Sequence, residues 1–286
     1  MRILTTGSTG FTGKCLLLML EDFGYEIYHL VRNKKGLKNE FVWNFMSPLP
    51  EEVPPCDIVI HLAAHVNFCQ NLEIIQYNVN TVSTIKLSAF AKAHNAYFVF
   101  ASTVGVHGSQ YTVIDGDTPI NPENHYSLSK YLAEEVIKTY LDNYSILRIC
   151  GIYGLDGPEH LGLNRAISNA VHKKNVPVLM GPGKAKKNYI CVQDVAKWIL
   201  YLVNNYKIVP NSTELGIKEI LYLAGPEVLT IEDYLKLIME TILPGMELEK
   251  IDGLESSNLI VKPSPAPFLE VTFKQYLSSL VSSPKN

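Results

Sequence analysis

The sequence predicts an α/β fold, a doubly wound parallel sheet covered by helices on both faces, with a smaller C-terminal region. Three observations carry this. Apolar runs of strand length alternate with helical patterns up to Ile149. The glycine-rich turn "TTGSTGFTG", residues 5 to 13, follows the first of those runs. Past Gly154 the alternation gives way to loops such as "GLDGPEHLG" and "MGPGKAKKN". Near-continuous apolar strands separated by helices indicate βα units whose sheet is buried on both sides.

The first run, "RILTT", enters Gly7, Gly10 and Gly13 and continues into "KCLLLML", which reads as strand, tight turn and a helix over 11–22. Such a turn aims backbone N–H groups and the positive end of a helix dipole at an anion, commonly a phosphate. Glycines in a turn are also plain punctuation, and the spacing is GxxGxxG because Thr9 stands inside it. Strands follow at "EIYHLV" (26–31), "DIVIHLA" (57–63), "YFVFAS" (97–102) and "YSILRI" (144–149), with helices over 72–94 and 125–142. "NYICVQDVAKWILYLV" (188–203) is a strand and a helix that returns to the main domain. The expected division is a cofactor-type domain of 1–154 plus 188–204, and a smaller lobe of 155–187 plus 205–286. Sheets of this kind bind ligands at the carboxyl ends of their strands, where the glycine turn lies.

At 286 residues the chain can bury a large core, about three quarters of its unfolded surface. With 25 Lys and Arg against 28 Asp and Glu, a formal charge of −3 offers no field for nucleic acid and no polybasic membrane anchor. Cys15, Cys56, Cys69, Cys150 and Cys191 are dispersed and form no CxxC, so buried thiols in a reducing compartment are expected. "CLLLML" is too short for a signal segment or a membrane span, and a cytoplasmic location follows as the expectation. His61 and His65 stand four apart, but they straddle the end of a strand without an evident carboxylate partner, so no metal site is expected.

Two further constellations carry chemistry. In "HYSLSKYLAEE" (125–135), Tyr126 and Lys130 stand four apart, on one face of a helix, so that an ammonium can act on a phenol. A free phenol titrates near pH 10, and acid/base work at neutral pH needs a shift of about 3 units that a neighbouring cation favours. In "FASTVGVHG" (100–108), a strand ends in Ser102 and Thr103, whose hydroxyls would face the same crevice as the glycine turn. Each pattern alone also fits an ordinary amphipathic helix or a strand-end turn.

Taken together, in order and spacing, these motifs resemble an extended short-chain dehydrogenase/reductase, the group of nucleotide-sugar epimerases, dehydratases and reductases. The matching stretches run to about residue 203 and include "CDIVIHLAAHVNF", "NVNTVSTIKLSAFAKAHNAYFVFAST", "DTPINPENHYSLSKYLAEE", "LRICGIYG" and "NYICVQDVA". The resemblance implies a Rossmann-type sheet with a C-terminal substrate-binding region, and an NAD(P)-dependent enzyme acting by hydride transfer on a small-molecule substrate. It implies that Gly7, Gly10 and Gly13 wrap the cofactor pyrophosphate, with Phe11 and Thr12 presenting backbone to it. It assigns Tyr126 as general acid/base, Lys130 to the nicotinamide ribose and to lowering the tyrosine pKa, and Thr103 to orienting the substrate oxygen. Ala63, Ala64 and Asn80 fall where the family contacts ribose and nicotinamide, and Asp57, at the foot of its strand, is structural.

Departures narrow the expectation. Arg32, backed by Lys34 and Lys35, suits a 2′-phosphate and favours NADP over NAD, while Asn44 leaves NAD open. Val104 and Gly105 stand where sugar 4,6-dehydratases carry an Asp-Glu pair, and neither can transfer a proton, which leaves epimerase or reductase. Lys187 and Asn188 replace an Arg-Asp pair, so Lys187 is the expected substrate phosphate contact, as a point charge and without a bidentate fork. Lys184, Lys186 and Lys187 equally fit a solvated loop. A homodimer joined through the helices 72–94 and 125–142 is expected from the resemblance. The alternative function is a catalytically idle nucleotide sensor or scaffold of the same fold.

Overall fold

The computed structural model describes residues 1–68, 71, 73–206 and 217–282, so Cys69 lies outside the described residues. They form two compact units, Met1–Gly108 with Pro119–Arg148 and Ala196–Leu221, and Ser109–Thr118 with Ile149–Val195 and Tyr222–Asn286.

The first unit is built on a seven-stranded sheet of β1 (Arg2–Thr6), β2 (Glu26–Val31), β3 (Glu40–Val42), β4 (Ile58–His61), β5 (Tyr97–Thr103), β6 (Tyr144–Ile149) and β7 (Lys218–Leu223). Their order is β3-β2-β1-β4-β5-β6-β7. β1 pairs in parallel with both β2 and β4, and β2/β3 and β4/β5 are parallel as well. The chain therefore winds one way from β1 to β3 and the other way from β4 onward, and the switch lies between β1 and β4. This is the predicted doubly wound, Rossmann-type topology. β7 falls within the stretch that the sequence assigns to the smaller lobe; its short, half-polar "KEILYL" serves as a sheet edge.

Helices α1 (Phe11–Leu20), α2 (Ile74–Tyr77), α3 (Ser83–Ala93), α4 (His125–Tyr140) and α5 (Val192–Asn205) accompany the sheet. Leu4, Val59, Phe98, Phe100 and Ile146 of the strands pack with Leu87 and Ala91 of α3 and with Ala133 and Ile137 of α4, all fully buried. Each large side chain among them contributes about 1.5–3 kcal/mol by leaving water. The predicted helix 72–94 is interrupted by a π-helical turn, Asn78–Val82. There Ser83 Oγ donates to the carbonyl of Val79, and Thr84 Oγ1 to that of Asn80 at 2.8 Å. Hydroxyls that bond back to the i−4 carbonyl compete with the regular ladder, which periodicity alone does not reveal.

The second unit has its own core, in which Tyr153, Ile167, Leu179, Tyr234, Ile238, Phe273 and Leu277 are buried together. Short strand pairs stitch it: Val178–Met180 with Glu249–Ile251, Ile190–Cys191 with Ile152–Tyr153, and Lys186–Lys187 with Leu229–Thr230. Asn188 is buried and exchanges two hydrogen bonds with the backbone of Val261, which makes it a structural clasp. Cys56, Cys150 and Cys191 are buried as expected, whereas Cys15 is only half-buried because the exposed side of α1 carries it. Among the described residues no helix is long and apolar enough to cross a membrane.

The helix Ile231–Ile242 starts from a capping box in which Thr230 Oγ1 accepts from the Asp233 amide at 3.0 Å and the Asp233 carboxylate accepts from the Thr230 amide at 3.1 Å. Thr230→Ala is expected to cost about 1 kcal/mol of stability, read as a lower midpoint in urea denaturation with an unchanged slope.

Candidate active site

The glycine turn is shaped first by the protein itself. Gly7 has φ +73°, and a Cβ there would lie 2.6 Å from the amide nitrogen of Ala63 and 2.8 Å from the carbonyl carbon of Leu62. A Cβ on Gly13 would lie 2.1 Å from the carbonyl oxygen of Gly7 and 2.6 Å from Cα of Ser8. These two glycines thus let the turn press against the loop after β4 and let α1 press against the turn. Gly10 differs: it is exposed, and its Cβ would meet only the Gly7 oxygen, at 3.2 Å. Of the three, it alone is open on the side where a ligand can approach.

The turn fits the pyrophosphate of a dinucleotide. α1 begins at Phe11 with no side-chain cap and no acidic residue in its first turn, so the leading N–H groups, those of Phe11 and Thr12 among them, are available to an anion. Ser8, within the turn, buries a hydroxyl that has no hydrogen-bond partner among the described residues.

A chain of buried polar contacts ties this crevice together. Thr6 Oγ1 meets His61 Nδ1 at 2.6 Å and accepts from the Ala63 amide at 3.2 Å. The other ring nitrogen of His61 faces Thr84 Oγ1 at 3.1 Å and Ser83 Oγ at 3.2 Å. Burial holds the ring neutral, its pKa pulled well below the usual histidine range, with Lys130 adding to the effect. Asn80, in the π turn, accepts from the His65 amide at 2.8 Å and donates to the His65 carbonyl and to Ser129 Oγ, each at 2.9 Å. Its side chain is fully buried. Its amide joins the loop that carries Ala63 and Ala64 to α4. Ala63 is half-buried and Ala64 exposed in that loop. His65 Nε2 meets Glu73 at 3.1 Å.

Thr103 ends β5, and its Oγ1 accepts from the Gly105 amide at 3.1 Å, which leaves the hydroxyl proton to donate elsewhere. Gly105 allows α4 to come close, since a Cβ there would lie 2.9 Å from Ser127 Oγ. α4 begins at the Asn124 cap, whose Oδ1 accepts from the Ser127 amide at 2.8 Å. Tyr126 is half-buried, with Phe68 edge-on at 5.4 Å. Lys130 is buried, its ammonium 3.9 Å from the centroid of the Phe100 ring. Among the described residues neither the Tyr126 hydroxyl nor the Lys130 ammonium has a hydrogen-bond partner, so both remain available to a ligand oxygen.

The electrostatics depart from expectation. Burial pushes the Tyr126 phenol up to about 12. Burial pulls the Lys130 ammonium down to about 7, against the attraction of Glu134. Desolvation is the largest influence on both groups, and the two share no hydrogen bond in the free chain.

Arg32 follows β2, exposed and with no ion-pair partner among the described residues. Glu40, the first residue of β3, accepts from that loop's amides at Lys35, 2.9 Å away, and Gly36, 3.0 Å away, an anion in a backbone nest that the sequence did not reveal. In the second unit Lys187 is half-buried in its strand, its pKa lowered by burial. That unit also holds a cavity of about 370 Å³ lined by Leu163, Arg165, Met180, Tyr189 and Tyr234 among others. Arg165 was not singled out from the sequence, since a lone arginine in a loop-rich segment carries no pattern. The buried Glu134–Arg148 pair beneath Lys130 was also missed, although a charge inside the apolar run "YSILRI" signals a buried partner.

Residues 3–216 match the model of the NAD dependent epimerase/dehydratase family. The chain is 32% identical over 223 residues to a candidate UDP-glucose 4-epimerase of Methanocaldococcus jannaschii, covering 71% of this chain and 73% of that protein. It is 30% identical over 222 residues to the GDP-6-deoxy-D-talose 4-dehydrogenase of Aggregatibacter actinomycetemcomitans, covering 74% and 73%. The fold is similar to that of the UDP-glucuronic acid 4-epimerase from Bacillus cereus, solved in complex with NAD. The TM-score is 0.76 at 17% identity, over 97% of this chain and 96% of the other.

The two kinds of glycine separate by experiment. Gly13→Ala is expected to destabilise the fold by about 1–3 kcal/mol through overpacking. Gly10→Ala is expected to leave the unfolding midpoint nearly unchanged while weakening dinucleotide affinity by tenfold or more, roughly 1.4 kcal/mol, measured by calorimetric titration.

Proposed function

Because the chain belongs to the NAD dependent epimerase/dehydratase family, we propose that it is an epimerase or dehydrogenase acting on a nucleotide-activated sugar, with Tyr126 moving the proton. The observation that carries this reading is the pairing of two unspent donors on α4, the Tyr126 hydroxyl and the Lys130 ammonium, with the free hydroxyl proton of Thr103 at the end of β5. When bound, the nicotinamide cofactor supplies hydride exchange with a carbinol or carbonyl carbon. The glycine turn and the α1 N-terminus hold its pyrophosphate, and Lys130 holds a ribose hydroxyl.

Thr103 donates to the substrate oxygen while the Gly105 amide keeps its own oxygen occupied. Tyr126 gives its proton to a carbonyl oxygen or takes one from a hydroxyl at the same atom. In the free chain the phenol keeps its proton at neutral pH, which suits the donating direction; taking a proton requires a charged Lys130 nearby. Val104 is buried and Gly105 crowded, so the positions that would serve a dehydration are closed to acid/base side chains. Lys187 is the candidate phosphate contact. Arg32 supports a preference for NADP within a family described as NAD dependent.

Tyr126→Phe is expected to lower turnover of a nucleotide sugar by about 10²–10⁴-fold with dinucleotide affinity changed by no more than a few fold; unchanged turnover removes Tyr126 from the mechanism. Arg32→Ala is expected to weaken NADP binding by tenfold or more and to spare NAD; equal losses for both cofactors would count against the NADP preference. Identification of the nucleotide released on denaturation separates the two reaction types, since tightly held NAD points to an epimerase and freely exchanging cofactor to a dehydrogenase.

A further inference from the structure

One turn along α4 from Lys130, Glu134 is buried in a bracket of donors. Arg148, on β6, approaches it with Nη2 at 2.7 Å and Nε at 3.3 Å from both carboxylate oxygens, and Ser102 Oγ, on β5, donates to Oε1. Behind Arg148, its Nη1 meets His107 Nε2 at 3.3 Å, and His107 Nδ1 faces the Pro119 carbonyl at 3.0 Å. Glu134 and His107 are fully inaccessible, and Ser102 and Arg148 are each 5% exposed. A buried ion pair of this kind gains little stability over apolar residues of the same volume, so stability alone is a weak reason for its presence.

We infer that Glu134 is a positioning residue of this enzyme: held by Arg148 and Ser102, it sets the charge that Lys130 carries, and through Lys130 the readiness of Tyr126 to release its proton. The inference rests on the reading of Tyr126 and Lys130 as the proton-handling pair. Glu134 shares the α4 face of Lys130 and is the carboxylate that raises its affinity for a proton. Ser102 is the neighbour of Thr103, so one bracket joins the strand end to the helix that bears both tyrosine and lysine. The other groups against Lys130 cannot take this part. The Phe100 ring from β5 is neutral, His61 from β4 is held neutral, and Tyr126 on α4 keeps its proton. Arg148 opposes Glu134 by neutralising it.

This arrangement predicts opposite signs for two neighbouring substitutions. Glu134→Gln removes the anion and leaves Arg148 uncompensated, so both changes disfavour the ammonium. Arg148→Gln removes a cation, and with Glu134 ionised and Lys130 as its remaining cation, this favours the ammonium. The full chain, labelled at lysine Nζ and free of substrate, is titrated by NMR, with the Lys130 resonance assigned by its loss in Lys130→Met. The wild-type midpoint is expected near pH 7. Glu134→Gln should lower it, and Arg148→Gln raise it, by about one pH unit or more, and the pH profile of turnover should move in the same directions. Shifts of the same sign, or none, overturn the inference, as does a wild-type ammonium that stays charged above pH 9, roughly two units past the expected midpoint. Should either variant fail to fold, Ser102→Ala keeps both charges and removes only a donor to Glu134; the midpoint is then expected to rise, and a fall or no change overturns the proposal. Opposite shifts together with full turnover in Tyr126→Phe would leave the electrostatic link standing and remove the catalytic assignment instead.

Discussion

Backbone lies directly on backbone where Gly7 meets Leu62 and Ala63, and the geometry of the crevice depends on that contact. β1 and β4 are neighbours in the sheet but are separated in the chain by β2 and β3. Their following loops diverge in chain direction, and a side chain at Gly7 would wedge them apart at 2.6 Å. With no Cβ there, the glycine turn and the loop carrying Ala63 and Ala64 form one continuous surface. Gly13 repeats the device between the turn and α1.

Holding that surface in register requires polar groups inside an apolar layer. The strands and helices of the first unit are packed with fully buried Leu, Val, Phe and Ile, where an unpaired polar atom costs about 1–3 kcal/mol. Thr6, His61, Ser83, Thr84, Asn80 and Ser129 avoid that cost by bonding to one another and to backbone. The result is a rigid path from the end of β1, through the π turn, to the carbonyl of Tyr126, which Ser129 Oγ reaches at 2.7 Å. Asn80 thus has a structural cause for its place: it fastens a loop that has no regular ladder of its own.

The same apolar layer sets the electrostatics. Desolvation raises the Tyr126 phenol and lowers the Lys130 ammonium together, so the free chain presents a protonated phenol beside a lysine poised near neutrality. A cation in such surroundings is governed by the few charges that share its burial, which are Glu134 and the Arg148 that answers it. Surface charges, screened by water, have little say there.

Periodicity and spacing, properties of the chain itself, were enough to read a doubly wound parallel sheet, its strands from "RILTT" to "YSILRI" apart from the short β3, the glycine turn and the helical Tyr126/Lys130 pair. Apolar runs declare two-sided burial, and a four-residue spacing declares one helix face, without knowledge of any partner. What depended on distant segments meeting could not be read that way: the two reasons for three glycines, the π turn at Asn78–Val82, the turning inward of Asn80, β7 joining the sheet edge, and the Glu134–Arg148 bracket under Lys130. Each of these is decided by which atoms come within hydrogen-bond or contact distance after collapse, and for a buried charge that neighbourhood, not the residue type, determines whether it is charged.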